Sequence, residues 1–225
     1  MSPDPSRPTV TQVDDPRAMR ALAHPLRLRL LAALRSHGPQ PVGALARTFG
    51  IAAGSASYHL RTLAEHGLVV EAPELAHDAR ERWWRAGAEL TSWEPADVLG
   101  DPERWAALDV LRRTVLRGYV EQLEAALTAE ADLPREWVAA SFQGDDRLDL
   151  TVQELAELRA DLEALFERWH ARSDAARPDA RSVLIIGHAF RQPDPTNQAP
   201  MPPPNPDAPQ AHHDTTPAQQ TDGAR

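Results

Sequence analysis

The chain contains no cysteine and no lysine. Without cysteine there are no disulfides, no thiol redox chemistry and no thiolate metal site. No run approaches the roughly 18 apolar residues that a membrane helix needs, so no transmembrane span is expected. A glycine-rich phosphate loop, a nucleophile elbow and a cluster of His, Asp and Glu at metal spacing are also missing, so the reading is of a non-enzyme with no metal and no cofactor. Residues 1–13 are rich in Pro, Ser and Asp with no apolar signal region, which gives the expectation of a disordered N-terminus in a cytoplasmic protein.

What is present is unevenly charged. The formal net charge is −9, a poor overall sign for a protein that meets nucleic acid. The sum hides a split. Arg17 to Glu65 holds seven arginines against one acidic residue, whereas Thr91 to Ala180 holds ten arginines against twenty acidic residues. Fields are local beyond a Debye length of about 8 Å, so a positive module can bind an anion while attached to an acidic one.

The positive part has a recognisable rhythm. Asp15-Pro16 is a helix start, since proline lacks an N–H that would be unpaired there anyway. A short helix over Ala18 to Ala23 is broken at His24-Pro25, and Pro25 opens the next. Leu26, Leu30, Leu31 and Leu34 give that helix one apolar face, and Ser36-His37-Gly38-Pro39 ends it. Val42, Leu45, Ala46 and Phe49 predict a shorter helix closed by Gly50. A third helix is expected from about Ala53 to His66, stopped by Gly67. Ala56, Leu60, Leu63 and Ala64 share its inner face. Gly54, Ser55, Tyr58, Arg61 and Thr62 point the other way, with Ser57 and His59 on the flanks. Leu68 to Glu71 and Arg80 to Arg85 then read as two strands with a tip between them, with Arg80 and Arg82 on one strand face near that tip. Three short helices and a β-ribbon make a winged helix-turn-helix. Such a unit places its third helix in a DNA groove while the wing touches phosphate.

Specific residues tie this pattern to a family. Leu22-Ala23-His24-Pro25-Leu26-Arg27-Leu28-Arg29-Leu30-Leu31, then Leu45-Ala46, Gly50-Ile51, Ser57-Tyr58-His59-Leu60-Arg61-Thr62-Leu63 and Gly67-Leu68-Val69 resemble the ArsR/SmtB winged-helix transcription regulators of bacteria. The resemblance covers about residues 15–90. It implies a homodimer that grips a near-palindromic double-stranded operator, usually represses, and lets go when an inducer binds. Carried over, it makes Ser55, Ser57, Tyr58, His59, Arg61 and Thr62 the recognition residues, with Arg80 and Arg82 on the wing. Two departures stand out. Ala52 sits where the family commonly has a hydroxyl cap, worth about 1 kcal/mol. The family's metal ligands are absent, because Val42 to Phe49 has no ligand of any kind and the long helix after the wing has no histidine. A non-metal signal, with a small apolar effector as the candidate, is what remains.

Residues 91–191 read as a second, α+β module. Asp101-Pro102 opens a helix to about Ala129, roughly 40 Å long at 1.5 Å per residue. Its stripe of Trp105, Leu108, Leu111, Val115, Tyr119 and Leu123 is the expected dimer interface. Glu136 to Phe142, Arg147 to Leu150 and Ser182 to Phe190 predict a small three-stranded sheet. Between them a helix from Val152 to about His170 is capped by Thr151 and Glu154. Trp93, Trp105, Trp137, Trp169 and Tyr119 are either core or the lining of an apolar pocket. Residues 192–225 are proline-rich and expected to be disordered. The fold class is thus mainly α with a little β: domains at 14–90 and 91–191 between two unstructured ends. A second functional reading is a winged helix that has lost DNA binding and docks another protein; a salt-dependent affinity for DNA separates the two.

Overall fold

A computed structural model describes residues 8–78 and 81–193 of the chain. The expected disorder at residues 1–7 and in most of the proline-rich tail, and the placement of Arg80, lie outside the described residues. The chain divides after His188, three residues before the expected boundary, and residues 189–193 carry no helix or strand.

The main unit is mostly helical with a small sheet, and its N-terminal part is a winged helix-turn-helix. Strand β1 (Val10–Gln12) leads into α1 (Pro16–Leu22) and α2 (Pro25–His37). Both helices begin as the sequence predicts. Asp15 accepts the Arg17 N–H at 3.0 Å, and the His24 imidazole accepts the Leu26 N–H at 3.2 Å, each followed by proline at the first turn. Then come β2 (Gln40–Pro41), α3 (Val42–Thr48), α4 (Ala53–Ala64), β3 (Val69–Glu71), β4 (Trp83–Ala86) and β5 (Leu90–Ser92). β3 and β4 pair antiparallel as the expected wing, with Glu71 opposite Trp84 and Val69 opposite Ala86. β2 joins the other edge of β4, setting Pro41 opposite Trp83. At Gly67 the chain leaves α4 with φ +68°, a conformation that glycine reaches without strain.

Residues 10–13 are not disordered. β1 pairs in parallel with β5, Val10 opposite Leu90 and Gln12 opposite Ser92, and Val13 is buried at 3% exposure. An alternating segment too short to stand out in sequence gains order from a partner about 80 residues away.

The core is built from Met19, Leu22, Leu30, Leu34, Leu45, Leu60, Leu63, Leu68 and Trp84, together with Leu108 and Leu111 of α5 (Pro102–Ala129). α5 packs along α1 and touches α2. Arg20 reaches Glu103 at 2.7 Å, and Arg104 donates to the Asp14 carbonyl at 3.0 Å. The expected boundary at residue 90 therefore does not separate two bodies: the first turns of α5 complete the winged helix.

The rest of the predicted second module differs. The helix α7 (Val152–Arg172) is present, with Thr151 and Glu154 forming the expected capping box. The three strands are not. Glu136 to Phe142 is mostly a short helix, α6 (Arg135–Ala140), and both Arg147 to Leu150 and Ser182 to Phe190 run without strand pairing. The only three-stranded sheet among the described residues is the wing sheet, in the order β2-β4-β3. Alternation marks a segment able to form a strand, but a strand exists only with a neighbour to share its hydrogen bonds.

Candidate nucleic-acid interface

α3 and α4 are joined by a tight turn at Gly50-Ile51 and held against α2 by the inner face of α4. Ala56, Leu60 and Leu63 on that face are fully buried. This fixes which way the outer face looks. Gly54, Tyr58 and Arg61 lie along it at spacings of four and three, all exposed, Tyr58 at 59%. Ser55, Ser57 and Thr62 flank them, partly exposed. The Thr62 hydroxyl donates to the Tyr58 carbonyl at 3.1 Å. The Arg61 side chain makes no hydrogen bond or ion pair among the described residues.

His59 is not on that face. It is buried at 9% exposure, its ring 4.7 Å from that of His24, and its Nδ1 accepts from Arg27 Nε at 3.4 Å. Arg27 also donates to the Ala21 carbonyl. The flank that His59 occupies is covered by the α1–α2 junction, so this side chain ties the third helix to its support and cannot reach a base edge. Burial lowers its pKa, and His24 and Arg27 lower it further. The pKa of His24 is likewise lowered by burial and then by Arg27.

The wing is less basic than its arginines suggest. Residues 68–86 contain three arginines and four acidic residues. Arg82 pairs with Glu71 at 3.3 Å, and Arg85 pairs with Glu74. Both pairs are about half exposed, and such pairs contribute only about 0–1 kcal/mol, so they exchange readily for another anion.

Arg47 on α3 escaped the sequence reading. It is exposed, and its side chain makes no hydrogen bond or ion pair among the described residues. The signal that could have found it is its place on the polar side of an amphipathic helix, opposite Leu45 and Ala46.

The expected dimer stripe on α5 separates into two faces. Leu108 and Leu111 are buried at 1% and 0% in the chain's own core, and Val115 packs against that core; Leu108 and Leu111 are thereby unavailable to a second copy. Tyr119 is partly buried, which raises its pKa. Trp105 and Leu123 are exposed at 39% and 53%. A different set, Leu116, Val120, Leu123 and Leu127, is exposed at spacings of four, three and four. Turned at about 100° per residue, Trp105 and Leu123 fall at the same angle, about 120° from Leu111 and beside the second exposed set, so the middle of the stripe meets the core and its edge does not.

Among the described residues no group of three or more His, Cys, Asp or Glu is placed to hold a metal ion, and no helix is long and apolar enough to cross a membrane. The five aromatics named as pocket candidates line neither of the two grooves found at the surface of the winged helix.

A match to a family model agrees with this geometry. Residues 22–72, from the end of α1 to just past β3, match a family described as a helix-turn-helix domain. No curated protein matches. Two solved structures are similar. One is the homodimeric winged helix-turn-helix DNA-binding domain of a possible ArsR-family transcriptional regulator from Mycobacterium bovis: 24% identical, covering 49% of this chain and 80% of that one, TM-score 0.29. The other is a possible transcriptional regulator for arsenical resistance: 29% identical, covering 50% and 95%, TM-score 0.28. Residues 22–72 thus carry a helix-turn-helix domain, which the β3–β4 pair completes with a wing.

Proposed function

We propose that this protein is a sequence-specific transcription regulator that binds an operator as a homodimer and represses, in the manner of ArsR-like proteins but answering a signal other than a metal. The observation that supports this most is the outer face of α4: Gly54, Tyr58 and Arg61 exposed in a row, backed by a fully buried inner face. A polar, narrow stripe on a rigidly backed helix suits the major groove, where side chains read base edges. Arg61 brings an unneutralised charge, and Ser55, Ser57 and Thr62 border it. Absence of cysteine rules out thiolate metal sensing.

The homodimer would form through the distal half of α5, with Leu116, Val120, Leu123 and Leu127 as its seam in place of Leu108 and Leu111. A four-three-four spacing is that of a helix pair. Two recognition helices about 34 Å apart would then meet successive major grooves on one side of the duplex, which calls for a near-palindromic operator.

The test is fluorescence anisotropy on the duplex upstream of the protein's own coding region and on a shuffled duplex, across a salt series. The expected result is a preference for the native duplex, with log affinity falling linearly in log salt. Tyr58→Ala should weaken native binding by about 1–3 kcal/mol, the range of a base contact, and leave shuffled binding nearly unchanged. Equal loss on both would remove Tyr58 from base reading. Absence of binding to either duplex at low salt would favour the protein-docking alternative, which the ion-paired, slightly acidic wing also suits.

A further inference from the structure

A groove opens between the start of α3 and the wing, with Val42, Gly43, Ala44 and Arg47 on one side and Glu81 and Arg82 on the other. Two arginines from segments far apart in sequence converge on it. The Nη1 of Arg47 lies 3.7 Å from where a Cβ on Gly43 would be. Its side chain therefore folds back along α3 and sets its charge at the groove, over a position that has no side chain of its own. Opposite, Arg82 is held in place by the backbone: the Val42 N–H donates to the Arg82 carbonyl at 2.9 Å, and Pro41 stands opposite Trp83 in the sheet. The spacing of the two arginine stems is thus set by sheet hydrogen bonds rather than by loop conformation.

The charges are available. Arg47 has no anionic partner among the described residues, and Arg82 has only its half-exposed pair with Glu71. Glu81 is the acid in the groove, but its Oε2 is engaged by His77, accepting the backbone N–H at 3.1 Å and lying 3.2 Å from the ring nitrogen. Two arginine side chains lining one open groove bring donors of the kind that bind the oxygens of a phosphodiester. An open groove gives a free anion little desolvated surface, whereas a duplex anchored elsewhere presents its phosphate at high effective concentration.

We propose that the α3–wing groove seats one phosphate of the DNA backbone, gripped between Arg47 and Arg82. This rests on the DNA-binding reading above. It places the register of the protein on the duplex in a contact that carries no sequence information.

The experiment is the same salt series, run with Arg47→Ala, with Tyr58→Ala beside it and circular dichroism as the folding control. Arg47 is exposed and helical, so alanine should leave the fold intact. The expected result for Arg47→Ala is an equal fractional loss on native and shuffled duplexes. The salt slope should become shallower by about one unit per lost contact, about two for a dimer. Wild-type affinity and slope in Arg47→Ala, while Tyr58→Ala still loses native preference, would overturn the groove assignment and leave the DNA reading standing. Failure of the wild type to bind either duplex would remove both. A second arm separates the sources of phosphate chemistry: melting in inorganic phosphate against chloride at equal ionic strength. A stabilisation by phosphate that Arg47→Ala loses, with an unchanged DNA slope, would assign the groove to a free anion and overturn the backbone contact.

Discussion

α4 and α7 are both amphipathic and both begin and end close to where the sequence places them, yet they have opposite fates. α4 buries Ala56, His59, Leu60 and Leu63. α7 has no fully buried residue: Leu155, Leu158, Leu162 and Leu165, which share one side, are only partly buried. The contrast extends along the chain: every buried residue among the described ones lies between Val13 and Thr114. An apolar stripe makes a helix with a preferred face; whether that face is buried depends on a second surface being there to meet it. In the first region α1, α2 and the start of α5 supply that surface. In the second, the three segments expected to form a sheet have no pairing, so α7 has no sheet to lie on.

The sharpest way to break this comparison is along α5, which belongs to both regions. Leu111 is fully buried and Leu123 is 53% exposed, although both belong to one sequence stripe. Leu111→Ala should cost about 2–5 kcal/mol of stability, the range for a large-to-small core change. Leu123→Ala should change monomer stability by no more than about 0.5 kcal/mol while weakening self-association. Urea denaturation of each variant, with sedimentation velocity on Leu123→Ala, reads both effects. Comparable destabilisation by the two would mean that distal α5 is packed as tightly as its start, and the division drawn here would fail. A charged residue at Leu111, which the sequence stripe suggests as a way to a folded monomer, should instead unfold the protein.

How much could be read in advance follows the same line. The positions of every helix but α6, their proline starts, the Thr151–Glu154 box and the bare start at Ala52 were legible, because each depends on neighbours within one turn. The outer face of α4 was nearly so: angle alone separated Tyr58 and Arg61 from Leu60 and Leu63. It failed for His59, a flanking residue whose exposure depends on what covers the flank, and the α1–α2 junction does. Arg82 was legible as a wing arginine, but its pairing with Glu71 across β3 and β4 was not, since register decides it. The β1–β5 pair and the absent strands were hidden for one reason: strand partners are non-local.

A second prediction concerns acid, and it falls on the packed region. His24 and His59 both have pKa values lowered from 6.5 by burial, with Arg27 adding to each. Protonating either ring at Nδ1 would also remove an acceptor, from the Leu26 N–H at the start of α2 and from Arg27 respectively. The sign follows. Above about pH 6.5 both rings are neutral folded or unfolded, and stability is at its full value. Below it the unfolded chain takes up protons that the folded one resists, so stability falls until the lowered folded values are passed. Urea midpoints should drop between pH 7.5 and pH 5.5, and His59→Gln should flatten that dependence. A midpoint in the wild type that is level across the window would mean that the pair is not desolvated.

The smallest expected effect sits at the start of α4. The two long helices after the wing are well begun. Asp101 accepts two N–H groups at the head of α5, both at 3.0 Å, and α7 has its capping box. α4, the helix with the closest link to function, begins at Ala52, which has extended backbone angles suited to a cap and no side chain to provide one. Ala52→Ser should therefore stabilise the winged helix by about 1 kcal/mol, the usual worth of a hydroxyl cap, read as a shift in the urea midpoint. The reverse change, Thr151→Ala, removes a cap from a helix with no fully buried residue, and should leave that midpoint where it was. If the cooperative unit ends near Thr114, only the first change registers in global unfolding; if Thr151→Ala moves the midpoint as far as Ala52→Ser does, α7 unfolds together with the winged helix and its stripe has a partner after all.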